Sequence, residues 1–175
     1  MIFNPKSFGA KADGSHDDTN AIQQAIDKAF FSGGGRIVLK NGVFLSGTIY
    51  LKSNISLEID ASACLLASPD INSYGSDTHH NRYRNEPELD RCFIFAENAD
   101  NIVSCGNGII NGNAEFFPNS NNIYRPMMIR FLNCRNIRLH DLRLYNSAAW
   151  TTAFLDSERI FISNIDIKNS KNYNG

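Results

Sequence analysis

The densest gathering of reactive side chains in this sequence runs from Pro69 to Arg91 and carries Tyr74, His79, His80, Arg82, Tyr83, Arg84 and Arg91. Guanidinium forks hold planar anions through paired N–H donors and tyrosine rings offer flat faces, so a polar, aromatic insert of this kind reads as the wall of a cleft. The same composition also suits a solvated loop. His79 and His80 lack a defined third metal ligand, and Cys64, Cys92, Cys105 and Cys134 lie far apart with no C-x-x-C pairing. No metal or other cofactor is therefore expected, and the thiols should be reduced and mostly buried. Asp17-Asp18 is a carboxylate pair, but it stands directly before an apolar helical stripe, where capping and dipole roles outweigh acid–base chemistry.

The elements that must position these groups come from an internal repeat. Asp100-Asn101-Ile102-Val103-Ser104 running to Asn111, Arg135-Asn136-Ile137-Arg138-Leu139 running to Asn146, and Glu158-Arg159-Ile160-Phe161-Ile162 running to Asn169 line up on one another. The offsets are 137 − 102 = 35 and 160 − 137 = 23, which puts Ile102, Ile137 and Ile160 in one column and Ile109, Leu144 and Ile167 in another. In the third copy Ile160, Ile162, Ile165 and Ile167 alternate with polar residues on either side of a kink near Ser163-Asn164. Short period-2 strands repeated in this way predict the coils of a parallel β-helix, stacked about 4.8 Å apart with aliphatic ladders inside. Asn111, Asn146 and Asn169 share a repeat position directly after a strand. There they should take left-handed backbone angles and bond amide to amide up the stack.

Upstream, Arg36–Leu39, Gly42–Leu45, Thr48–Leu51 and Ile55–Ile59 are short strands separated by turn signals, and they fit the first coils. Ala21, Ile22, Ala25, Ile26, Ala29 and Phe30 form one amphipathic stripe, closed by Ser32-Gly33-Gly34-Gly35. This helix is expected to plug the open N-terminal mouth of the tube. The resulting expectation is an all-β fold, a single partial β-helix over 1–175. Strand and cap helix occupy 1–35, coils fill 36–175, and a loop is inserted at about 69–91. No matching cap follows the last predicted strand before Asn172-Tyr173-Asn174-Gly175. The last coil should therefore self-associate end to end or be poorly ordered.

A hydrophobic content of 42% in 175 residues is enough for a sizeable core. A net charge of −1, with Lys and Arg dispersed, gives no support for a nucleic-acid or membrane-surface partner. The N-terminal residues show no basic region followed by an apolar run, so a cytoplasmic location is the expectation for the chain as given.

Several motifs carry a resemblance. Phe8-Gly9-Ala10-Lys11-Ala12-Asp13-Gly14 followed by Asp17-Asp18-Thr19, then Gly42-Val43-Phe44-Leu45-Ser46-Gly47, Asn107-Gly108-Ile109-Ile110-Asn111-Gly112-Asn113, Arg125-Pro126 and Asn146-Ser147-Ala148-Ala149-Trp150-Thr151, together resemble the N-terminal part of family 28 glycoside hydrolases. These are the polygalacturonase-like enzymes of the pectin-lyase-like superfamily, and the resemblance covers nearly the whole chain. It implies a right-handed β-helix that takes oligogalacturonide or pectin fragments by inverting hydrolysis, with one carboxylic acid protonating the leaving oxygen and others activating water. The family's reactive signature is Asn-Thr-Asp-Gly, then Asp-Asp, Gly-His-Gly and Arg-Ile-Lys on successive coils. None of the last three occurs here.

The first of these has two readings. Asn174 replaces the Asp, and an amide cannot act as acid or base near neutral pH; or Asn174-Gly175 opens the motif and the sequence stops before the Asp. The second is preferred, because it also accounts for the missing C-terminal coils. On either reading no catalytic residue is assigned. Asn174, Arg82 and Arg84 are the candidate substrate-binding residues, with Arg suited to an anionic sugar. Trp150 is expected in the core or wall rather than as a sugar platform. The competing reading is a non-catalytic β-helix module that grips anionic polysaccharide through the 69–91 loop. Lyase chemistry ranks last, for want of a calcium-holding acidic cluster.

Overall fold

A computed structural model describes residues 1–78, 90–117 and 124–169 of the chain. All strand pairings among them are parallel, and the strands wind as a right-handed β-helix with three columns. The first column stacks β1 (Ile2–Phe3), β3 (Gly35–Leu39), β6 (Ile55–Ile59) and β9 (Asp100–Cys105). The second stacks β2 (Asp13–Asp17), β4 (Gly42–Ser46), β7 (Ala63–Ala67) and β10 (Ile109–Asn111). Two long bent strands, β12 (Arg135–Tyr145) and β14 (Glu158–Lys168), complete both columns and merge them into one ten-stranded sheet. The third column is a separate four-stranded sheet of β5 (Ile49–Leu51), β8 (Cys92–Glu97), β11 (Met127–Leu132) and β13 (Thr152–Leu155).

The expected aliphatic column is present: Ile102 pairs with Ile137, and Ile137 with Ile160. Ile102 and Ile137 are fully buried, and burial of each such side chain contributes about 1.5–3 kcal/mol. The second expected column is one residue out. Leu144 pairs with Ile167 as expected, but its other partner is Ile110, not Ile109. Between the Ser104–Leu139 and Ile109–Arg143 pairs the lower coil has Cys105 to Gly108 where the upper has only His140 to Leu142. The extra residue in the bend shifts the strand by one, which exchanges its inner and outer faces.

The expected Asn ladder forms at one of its two links and not at the other. Asn146 has φ 53° and its amide donates to Asn111 Oδ1 at 3.3 Å, but Asn111 is an ordinary strand residue opposite Tyr145. Asn169 instead donates to Thr151 Oγ1 and accepts the Ser147 N–H, both at 2.8 Å. The continuous ladder lies at the start of the first column, where Asn54, Asn101 and Asn136 all have φ between 53° and 63°. Their amides connect at 2.9 and 3.0 Å.

Helix α1 (Thr19–Phe31) buries Ala21, Ile22, Ala25, Ile26 and Ala29 against β1, β3, β5 and β6, and so closes the end of the first coil as expected. The capping assignment needs correction. Asp18 occupies the N-cap position, yet its carboxylate, 1% exposed, accepts the Lys11 and Ala12 N–H groups at 2.7 and 2.9 Å. That contact holds Ala12 at φ 54°. Asp17 is the residue that takes up a helix-start donor, the Thr19 N–H at 2.9 Å. Asp13 accepts N–H bonds from Ser15 and His16, which hold its carboxyl down at about 2. The acidic residues of the opening motif therefore fasten the chain's entry into the tube.

At the other end, β14 pairs with β12, and Phe161, Ile162 and Ile167 on it are exposed. Among the described residues no helix is long and apolar enough to cross a membrane.

Candidate functional site

Rung lengths show where the site is built. Val103 stands 103 − 56 = 47 residues after its partner Ser56, Ile137 35 after Ile102, and Ile160 23 after Ile137. Most of the variation falls at one corner, between the second and third columns: residues 68–91, 112–126 and 146–151 on successive coils. These loops stack on one another. Tyr74 meets Phe117 edge-on at 6.1 Å, and the buried Arg125 donates from Nη1 to Ala148 O at 3.2 Å.

The corner borders the outer face of the third column. Alternation turns Ile49, Leu51, Ile94, Ala96, Ile129 and Phe131 into the tube, and puts Tyr50, Phe95, Arg130 and Ala153 outside in direct register. An outer face would ordinarily be wet. Here Cys92, Phe95, Met127 and Ala149 form a second buried cluster, separate from the main core, with Tyr50 and Ala153 packed against it. Burial pushes the Cys92 thiol up to about 12. Arg130 is only 3% exposed, and its Nη1 donates to Thr78 O at 2.6 Å. Tyr50 Oη donates to Asp77 Oδ1 at 2.7 Å; burial first and then this bond raise the phenol's pKa. Beside this pair lies a depression of about 290 Å³ lined by Tyr50, Lys52, Asp77, Phe95 and Glu97. A ring face, a cation and two carboxylates there can hold a polar ring by stacking and hydrogen bonds. Among the described residues no group of three or more His, Cys, Asp and Glu could hold a metal ion.

The sequence candidates divide three ways. His79, His80, Arg82, Tyr83, Arg84 and the Asn172-Tyr173-Asn174-Gly175 run, with Asn174, lie outside the described residues. Tyr74 is not a cleft-wall platform: it is 4% exposed, packs on Phe93 and Phe117, and donates to Ser68 O at 2.7 Å. Arg91 is at the site, beside Asp90 at 2.6 Å and stacked over Tyr124 at 5.0 Å. Trp150, expected in the core or the wall, is 36% exposed and precedes β13, which rules out the core and leaves the wall position open. All four cysteines are free, and Cys92 and Cys134 are buried.

Tyr50, Asp77, Thr78 and Arg130 were not singled out from sequence. Arg130 carried a signal: it is the one charged residue in the apolar run Met127–Leu132, and a cation so placed needs a built partner.

The family model described as "Rhamnogalacturonase A/epimerase, pectate lyase-like" matches residues 2–173. A probable polygalacturonase of Vitis vinifera is 28% identical over 180 residues, covering 91% of this chain and 35% of that protein. Polygalacturonase-2 of Solanum lycopersicum is 30% identical over 183 residues, covering 97% of this chain and 37% of that protein. The exopolygalacturonase of Thermotoga maritima superposes with a TM-score of 0.84 at 24% identity, over 99% of this chain and 48% of that one. The chain thus spans about a third of the length of these two plant relatives.

Proposed function

The chain belongs to the rhamnogalacturonase A/epimerase, pectate lyase-like family, and on that premise we propose that it is the N-terminal scaffold of a polygalacturonase- or exo-galacturonosidase-like glycoside hydrolase acting on pectin-derived galacturonides. The observation that carries this reading is the family match over 2–173, which runs through every coil and every corner loop. In the proposed reaction a water oxygen bonds to the anomeric carbon as the glycosidic bond breaks, and the departing oxygen takes a proton, so that water is the only co-reactant. The part we assign to the described residues is to bind and orient the sugar at the outer face of the third column. The acid and base are expected from coils after Gly175.

Reducing-sugar release from digalacturonate tests the proposal. The 175-residue chain should give essentially none, and a longer product that continues past Gly175 should give turnover. Substantial turnover by the 175-residue chain itself would overturn this division of labour.

A further inference from the structure

The outer faces of the three columns differ in what they turn to solvent. On the first, alternation puts Arg36, Glu58 and Arg138 outside, and Arg36 pairs with Glu58 on the neighbouring rung. On the third, Phe95 and Arg130 are buried. The second is apolar and open. Phe44, Leu65 and Ile110 are fully buried inside the tube, so Val43 and Leu45 of β4, Cys64 and Leu66 of β7 and Ile109 of β10 point outward in direct register. These five are half-buried and belong to neither apolar cluster. A sheet face turned to water ordinarily alternates to polar residues. Apolar side chains on three consecutive rungs therefore mark a docking surface.

The rungs on either side carry opposite charge. Below, β2 places Asp13 beside Val43 and Asp17 beside Leu45; above, β12 places Arg143 beside Ile109 and Tyr145 beside Asn111. Asp13, Asp17 and Arg143 are exposed and take part in no ion pair among the described residues. The Asp13 N–H bonds all fall on Oδ1, which leaves Oδ2 facing out. Acid, apolar, base in that order along the stack is a pattern that complements itself when one copy is inverted.

We infer that this face docks a second copy of the chain, turned end for end about a twofold axis that runs along β7. The axis exchanges β4 with β10 and β2 with β12, so Val43 meets Ile109 of the second copy, Leu66 meets its own counterpart, and Asp13 meets Arg143 at both ends of the contact. A twofold along the tube instead would set Asp13 against Asp17 and leave Arg143 opposite Tyr145, so charge selects the inverted arrangement. Five rungs at about 4.8 Å by five residues at about 3.3 Å span roughly 400 Å². That is about half of what one partner gives to a standard interface, so the pair is weak and reversible. The third column lies on another side of the tube and stays open in both copies. None of this depends on the galacturonide reading.

Sedimentation velocity of the 175-residue chain, from about 10 µM to about 1 mM, covers the range of so small an interface. The sedimentation coefficient should climb from monomer to dimer and stop there. Leu66→Glu sets two carboxylates against each other across the axis and should raise the concentration for half-dimerisation at least about tenfold, with circular dichroism unchanged. Ile109→Lys, on the next rung, is the second variant should Leu66→Glu fail to fold. Arg143→Glu should raise that concentration about fivefold in low salt, and by less in high salt, because it turns two attractive contacts into repulsive ones. A monomer throughout the range would overturn the proposal. Association that survives both Leu66→Glu and Ile109→Lys would overturn it as well, by showing that coils join through β14. Weakening by Leu66→Glu without weakening by Arg143→Glu would overturn the inverted arrangement.

Discussion

Ser104 is the weak point of the inner columns. It is fully buried and pairs with Leu57 below and Leu139 above, so a hydroxyl interrupts a stack of aliphatic side chains. Its Oγ has no hydrogen-bond partner among the described residues. A buried hydroxyl left without a partner costs roughly 1–3 kcal/mol, because it gives up its bonds to water and gains none. Removing the oxygen also removes its dispersion contacts, at about 0.1–0.2 kcal/mol each, which offsets part of the gain. Ser104→Ala should therefore stabilise the fold by about 1 kcal/mol, seen as a rise of about 2–4 °C in the thermal midpoint for a chain of this size. Urea unfolding followed by circular dichroism is the assay, with an unchanged slope required so that the shift reports stability. A midpoint that stays put or falls would refute the reasoning, since the hydroxyl would then be bonded in solution and the column not dry at that rung.

The Asn ladder and the opening motif give two further tests. Asn136→Ala forces a Cβ-bearing residue without an amide into φ 53° and deletes the bond to Asn101; a loss of about 2 kcal/mol is expected. Asn136→Gly relieves the backbone and should fall between Ala and wild type in the same urea series; Gly as destabilising as Ala would place the whole effect in the amide bond. The folded carboxyl of Asp13 sits at about 2 against an ordinary 3.8. Its contribution to stability is thus complete above about pH 4 and is lost as pH falls toward 2. Asp13→Asn should flatten the acid limb of a stability–pH profile over that window, and an unchanged limb would remove Asp13 from the account.

What could be read from sequence was whatever the tube's own periodicity determines. Ile102, Ile137 and Ile160 were aligned correctly because their strand is buried on one face, and burial at period 2 leaves a pattern in the residues. Register around the bend was not legible. Both Cys105-Gly106-Asn107-Gly108 and His140-Asp141-Leu142 make an acceptable corner, and the difference of one residue shows only when the strands are laid side by side. The same limit hid the true ladder: Asn54 lies 47 residues before Asn101, beyond the corner insert, outside both repeat offsets.

The site was less legible still. Tyr50 and Arg130 point outward as solvent-facing residues should, yet each is bonded to a segment distant in sequence, Tyr50 to Asp77 and Arg130 to Thr78. Sequence reasoning located that segment and took Tyr74 for a wall residue, since a tyrosine in a polar loop has the same composition whether its ring points out or in.

The division between two apolar clusters has a mechanical consequence. The main core lies inside the tube and passes without a break from Phe3 to Leu144, whereas Cys92, Phe95, Met127 and Ala149 pack outside it. The segment from Tyr74 to Thr78 bonds to Thr48, Tyr50, Asp90 and Arg130, while the Tyr74 ring enters the main core between Phe93 and Phe117. Releasing Arg130 from Thr78 should therefore loosen the segment from Tyr74 to Thr78 while leaving the inner columns paired, so the outer face can yield with the tube intact. Rung geometry is constrained by stacking from one coil to the next, but corner length is not, and that freedom is where a β-helix of fixed cross-section gains a differently shaped groove.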